Sequence, residues 1–339
     1  MNQKKYLHVF DVLTGIINKL RKEWFLLAMF LAIFLASIAP NLGKTGGVLH
    51  ANILADCGIA LVFFLHGLGL SFEKMKQGLM SWRVHITVQI LTFVLFPVIW
   101  YLSDRVLGNY IPRDLALGFC YLCALPSTVS SSVAMTGIAR GNVPAAIFNA
   151  TISGLIGIVL TPLIITVFSG LGGAGLSFTD AVAGIAKLLL IPLVLGQFSR
   201  PLLHRLHQKY KAITGSVDRF AILLMIYTAF CDSVSSGLWR NNGIGLIVSA
   251  MLGAATILCV VLIFSTWLAK YLRFNTEDEI TTVFCGSKKT LASGVPMAKL
   301  IFGSHPALGL IMLPIIFYHQ IQLIVCSVLA NRYARRFES

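Results

Sequence analysis

Apolar residues fall in long runs along the whole chain, and short polar or charged clusters separate them. A helix needs about 20 mainly apolar residues to cross about 30 Å of hydrocarbon. Ten stretches approach or exceed that length: residues 24–40, 51–71, 84–102, 114–139, 143–169, 181–199, 219–238, 243–269, 277–302 and 306–330. The pattern therefore predicts an all-α polytopic membrane protein of ten transmembrane helices. The connections are short, the longest being 200–218, so no soluble domain fits between spans. Before the first span, Val9, Val12, Leu13, Ile16, Ile17 and Leu20 recur at helical spacing among Lys4, Lys5, Lys19, Arg21 and Lys22. Residues 1–23 read as an amphipathic helix lying on the membrane surface, and no small-residue cleavage site marks them as a removable signal.

Two spans are interrupted, and their interruptions repeat. Residues 128–135 read TVSSSVAM and residues 290–297 read TLASGVPM. Thr128, Ser131, Val133 and Met135 recur as Thr290, Ser293, Val295 and Met297 at a constant offset of 162. The copies lie in the fourth and ninth spans, the fourth of each set of five. That is the pattern expected of broken helices at equivalent places in two halves of a transporter.

Composition agrees with a membrane protein: 57% of the 339 residues are hydrophobic, 12% are charged, and the mean hydropathy is +0.82. A soluble domain carries about 25% charged residues. The net charge of +14 speaks to topology and not to nucleic acid. With the N-terminus in the cytoplasm, 19 of the 27 Lys and Arg lie on the cytoplasmic side and five on the other; Lys288, Lys289 and Lys299 lie within the ninth span. Both termini are thus expected inside. Five spans per half is an odd number, so the second half enters the membrane in the opposite sense and the repeat is inverted. The expected division is 24–169 and 170–330, with a cytoplasmic tail at 331–339.

The seven cysteines are odd in number and lie mostly within apolar runs, which does not suggest a disulfide framework. Cys120 and Cys123 form a CxxC without a second pair or a nearby His, and they read as small residues on a transmembrane helix, not as metal ligands. No P-loop, GxSxG or HExxH is present. Neither an enzyme nor a bound cofactor is expected, and metal ligands are not assigned.

The chemistry concentrates in the breaks. Pro126 removes a backbone donor and disfavours helix at Leu125. Ser127, Thr128, Ser130, Ser131 and Ser132 follow, able to cap a new helix and to bond freed backbone groups. A packing face of small residues is the plainer reading, but five hydroxyls in six residues exceed what packing needs. The second break holds Ser287, Lys288, Lys289, Thr290 and Ser293. Two lysines at mid-membrane cost about 5–7 kcal/mol on insertion scales. Three roles fit them: binding an anionic substrate group beside the half-helix N-termini, serving as a built-in cation where a relative binds a metal ion, or snorkelling to a nearby surface. Adjacent ammonium groups also repel, and exchange of one proton there would permit H+ coupling. Elsewhere, Asp232 and His66 are candidate proton sites, and His319, Gln320 and Gln322 form a candidate cavity network. Asn149 and Thr151 join the candidate binding set.

These residues carry a resemblance. The stretches FFLHGLGL (63–70), CALPSTVSSSVAMTGIARGNVPAA (123–146), LTPL (160–163), FCGSKKTLASGVPMA (284–298) and YHQIQL (318–323) resemble the bile acid:sodium symporter superfamily, solute carrier family 10, and within it the bacterial branch similar to member 7. The resemblance covers essentially the whole chain. It implies two inverted repeats of five helices, a panel domain from spans 1, 2, 6 and 7, and a core domain from 3–5 and 8–10. It also implies alternating access in a bacterial inner membrane, an anionic small-molecule substrate, and Na+ as coupling ion. Relatives place a Ser-Asn pair where Ser131 and Ser132 stand, hydroxyls where Ala146 and Ala150 stand, and a glutamate and a Gln-Asn pair where Phe284 and Lys288-Lys289 stand. Two ammonium groups in that place oppose a hard cation, which needs oxygen ligands, preferably anionic. The expected function is secondary-active transport of a small organic anion with sodium coupling disfavoured. The alternative is a non-transporting regulator of cellular calcium built on the same fold, as eukaryotic relatives suggest.

Overall fold

The computed structural model describes residues 24–69, 72–108, 110–169, 178–237, 244–303 and 305–336. The surface helix expected at 1–23 lies outside them, as do 170–177, where the two halves were expected to join, and 337–339 at the end of the tail. Every regular element among the described residues is helical. In chain order they are α1 (Trp24–Ile38), α2 (Pro40–Gly43), α3 (Ala51–Gly69), α4 (Phe72–Gly78), α5 (Trp82–Leu107), α6 (Arg113–Ala124), α7 (Ser130–Ile138) and α8 (Val143–Ser169). There follow α9 (178–209), α10 (Lys211–Ser235), α11 (Ile244–Tyr271), α12 (Thr276–Gly286), α13 (Gly294–Phe302) and α14 (Leu308–Arg335). Among the described residues, five stretches are long and apolar enough to cross a membrane: α5, most of α8, the middle of α9, most of α11, and α14. Shorter apolar helices lie at Leu27–Ile38 and Ile53–Gly69.

Local chemistry explains several boundaries. α12 starts where the Asn275 side chain accepts a hydrogen bond from the Asp278 N–H at 2.8 Å, with Glu277, Asp278 and Glu279 against the positive helix end. α5 and α9 each contain a π turn, at Leu91–Leu95 and Ala186–Leu190. The stretch 200–218, expected as a connection, is almost entirely helical, because α9 continues to Lys209 and α10 begins at Lys211. His207 and Lys209 in the last turn of α9 suit its negative end.

Packing divides the helices into two neighbourhoods. α3 lies against α9 and α10, and α10 against α1 and α2. α6 packs on α14 and α8, α11 on α14 and α12, and α12 on α5 and α7. α10 reaches across to α13 and α14. Within the membrane, close approach relies on small residues. Gly67 of α3 and Gly196 of α9 show it: a Cβ on Gly67 would collide with the Leu193 carbonyl oxygen, and one on Gly196 with that of Phe64.

This contact sets a test. Overpacking costs about 1–3 kcal/mol, which is about 1–4 °C in a protein of this size. Gly196→Leu is expected to lower the melting temperature in detergent by that amount. Gly245→Ala, where an added Cβ meets nothing within 4 Å, should leave it unchanged.

Candidate functional site

Both breaks form where the sequence places them. α6 ends at Ala124 and α7 begins at Ser130; α12 ends at Gly286 and α13 begins at Gly294. Leu125 is extended, with φ −70° and ψ 152°, as a residue before proline should be. The doubled motif makes one contact twice: the Thr128 and Ser131 hydroxyls lie 2.7 Å apart, and those of Thr290 and Ser293 lie 3.2 Å apart.

The two breaks meet, and each satisfies the other. The Thr290 N–H donates to the Pro126 carbonyl at 3.1 Å. The Ser127 hydroxyl donates to the Cys285 carbonyl at 2.6 Å, and that of Ser132 to Phe284 at 3.4 Å. The Tyr121 hydroxyl donates to the Gly294 carbonyl and the Tyr318 hydroxyl to the Ser287 carbonyl. Gln322 clamps Lys289 from both sides, accepting from its N–H and donating to its carbonyl, each at 2.9 Å. His319 stands 3.0 Å from the Gln322 amide.

Both lysine side chains are fully buried. The Lys289 ammonium donates to the carbonyls of Leu125 at 2.6 Å, Thr92 at 2.8 Å and Cys123 at 2.9 Å. Each acceptor has a backbone reason to be free. Cys123 and Leu125 lie at the end of α6, where the helix ladder stops. In a π turn the Thr92 carbonyl would take its bond from residue 97, and Pro97 has no N–H. The ammonium also lies 3.9 Å from the Phe96 ring centroid, within cation–π range. Hydrogen bonds to a charged group contribute about 1.5–3 kcal/mol each, so three of them outweigh the insertion cost of one lysine, about 2.5–3.5 kcal/mol.

Lys288 differs. Its ammonium has one described acceptor, the Ser131 carbonyl at 2.8 Å, and lies 5.6 Å from the Phe284 ring centroid. Thr128 and Ser132 lie beside that contact, with their hydroxyls 2.8 Å apart, and α7 has no side-chain cap at its N-terminus. Among the described residues neither ammonium is paired with a carboxylate. Ser130 is exposed at the start of α7, and Ser287 is fully buried at the start of the second break.

Other candidates lie apart from this network. The Thr151 hydroxyl bonds back to Ile147 on its own helix at 2.8 Å. Asn149 donates to Ala145 and accepts from Gln89 of α5. Gln320 reaches the Met29 sulfur at 3.3 Å. Asp232 holds the Thr45 N–H and hydroxyl at 2.7 and 2.8 Å, near the end of α10. His66 lies on α3, its ring edge-on to Phe63. From α8 it is Ser153 and Thr161 that serve the first break: the Ser153 hydroxyl accepts from the Ser127 N–H at 2.9 Å, and that of Thr161 donates to Ala124 at 2.9 Å. A sequence signal for them existed. Asn149, Ser153, Gly157 and Thr161 follow at four-residue steps, one face of a helix, and a Cβ on Gly157 would press on Pro126. Lys299 of α13 carries no distinguishing signal in the sequence; it pairs with Asp56 of α3 at 2.9 Å and lines a small cleft with Asp232, Met225 and Met312.

The profile of the SBF-like CPA transporter family matches residues 23–335. YfeH of Escherichia coli (strain K12), whose name marks it as a candidate symporter, is 41% identical over 314 residues, 93% of each chain. Sodium/bile acid cotransporter 7 of Danio rerio is 33% identical over 318 residues, 93% of this chain and 94% of that protein. The Mus musculus protein of the same name is 32% identical over 319 residues, 93% of each chain.

The clamp on Lys289 generates a measurable contrast. Gln322→Leu leaves a buried donor and acceptor unpaired, at about 1–3 kcal/mol each. Its melting temperature should fall well below that of Gln320→Leu, which loses only a contact to sulfur. Equal losses would show that the clamp is not a principal support of the second break.

Proposed function

The chain belongs to the SBF-like CPA transporter family, and on that premise we propose that it is a secondary-active transporter of a small organic anion. It is an integral membrane protein of helical spans. The finer reading has ten spans in two inverted halves, 24–169 and 170–330, with 1–23 on the membrane surface and 331–339 as a tail. Both termini are cytoplasmic and the membrane is a bacterial inner membrane. The matching hydroxyl contacts in the two breaks and the lysine and arginine asymmetry support it. In this reading α1, α3, α9 and α10 form the panel, and α5 to α8 with α11 to α14 form the core; the denser packing within each group supports the division, with α9 and α10 touching α8, α13 and α14 between them.

One observation carries the choice of an anion. The crossing holds two buried ammonium groups with no carboxylate paired to either among the described residues, and Lys288 has one described acceptor for three donors. It lies beside the Thr128, Ser131 and Ser132 hydroxyls at the uncapped start of α7, where the helix end adds positive potential. A carboxylate, sulfonate or phosphate group suits that setting. Ser127, Ser130, Ser287, Thr290 and Ser293 belong to the same surface in this reading, while His319 and Gln322 steady it. Since Lys288 is fully buried, substrate reaches it only when the core moves against the panel. The relatives' names speak of symport and, in the cotransporters, of sodium and bile acid. Here the same two ammonium groups repel sodium, which leaves a proton, exchanged at Lys288, Asp232 or His66, as the ion better suited to coupling.

Uptake into proteoliposomes tests this reading. Purified protein should accumulate at least one member of a labelled panel of carboxylates, sulfonates and phosphate esters, at equal rate in sodium and choline. Lys288→Ala should cut that uptake at least 10-fold, and Lys270→Ala, altering an exposed lysine, should not. No uptake of any anion, together with altered cell calcium on deletion, would favour the regulatory alternative.

A further inference from the structure

We propose that the shell formed by the carbonyls of Thr92, Cys123 and Leu125 is a monovalent-cation site whose occupant is covalently attached, and that Lys289 is that occupant. The shell has the features of a cation site. It brings together backbone oxygens from the π turn of α5 and from the end of α6, which are about 30 residues apart in sequence. All three point at one buried atom, at 2.6 to 2.9 Å. An ammonium on a carbon stem has three donors, and all three are used. The ring of Phe96 at 3.9 Å and that of Phe93 at 6.0 Å close the other side with aromatic faces, which favour a monovalent, weakly hydrated cation. No carboxylate joins the shell among the described residues, so a divalent ion has no charge to balance it.

Lys288 sharpens the contrast. Its neighbouring ammonium has one described acceptor, the Ser131 carbonyl, beside a cluster of hydroxyls that bond one another. The two lysines therefore divide the work. Lys289 supplies the positive charge that locks α5, α6 and the second break together, and Lys288 keeps donors for another group. This inference is independent of the transport reading, because the shell belongs to the crossing whatever substrate moves, and its test measures stability and not uptake.

The test converts the tethered cation into a free one. Full-length wild type, Lys289→Ala and Lys288→Ala are purified in detergent, and melting temperatures are measured in choline, Na+, K+ and methylammonium chloride at equal ionic strength. Lys289→Ala is expected to melt lower than wild type in choline. It should then rise saturably, by at least about 3 °C, in methylammonium or one of the alkali cations. Wild type and Lys288→Ala should show no such rise. If Lys289→Ala cannot be purified folded in choline, carrying methylammonium or Na+ through purification should recover it. An equal cation response in wild type or in Lys288→Ala would overturn the proposal. So would a Lys289→Ala protein that no monovalent cation stabilises or recovers.

Discussion

The fold turns on one constraint: a backbone N–H or C=O left unpaired away from water costs several kcal/mol, yet two helical stretches here are interrupted at buried residues. The solution is to cross the breaks so that each provides the other's partners. Pro126 accepts from Thr290, Cys285 from Ser127, and Phe284 from Ser132. Where the backbone cannot close the account, side chains from flanking helices do so. Tyr121, Thr161, Tyr318 and Gln322 each take freed groups. The Lys289 ammonium takes three at once, two from the end of α6 and one from the π turn of α5.

That last contact links stability to charge. A lysine at this depth is unfavourable alone and favourable where orphan carbonyls converge. The carbonyl ends of a stopped helix also carry partial negative charge, so a cation there gains from the dipole as well. The crossing is thereby held by a group that also leaves the site electropositive. The neighbouring Lys288 shares the charge without the full set of partners. One residue pair thus supplies both the support of the broken helices and the positive charge of the crossing.

The small residues make the approach feasible. Gly294 lies where a Cβ would come 2.9 Å from Leu125, and Gly157 where one would press on Pro126. Gly67 and Gly196 play the same part between α3 and α9. Bulk at these positions would separate backbones whose hydrogen bonds depend on contact. Near the end of α10, Asp232 is taken up in holding Thr45, and Lys299 pairs with Asp56 across the two packing neighbourhoods.

Much of this was legible in order of sequence. Run length and charge asymmetry mark the membrane class. Pro126 and the doubled motif mark the breaks to within a few residues, because proline and clustered hydroxyls act on their own backbone. The lysine pair marks the place where charge enters the membrane. What the sequence alone could not decide is which partner each group finds, since partners come from helices distant in the chain. Asn149 and Thr151 look as suitable as Ser153 and Thr161, yet Thr151 turns to another face of α8 and Asn149, one turn before Ser153 on the same face, meets Gln89 instead of the first break. Gln320 and Gln322 lie two positions apart, but only Gln322 faces Lys289. Lys288 and Lys289 are adjacent and chemically identical, and only the crossing of four chain segments gives one of them three carbonyls and the other a single one. Local propensity is written residue by residue; the assignment of hydrogen-bond partners depends on tertiary distance, and so it appears only in the packed structure.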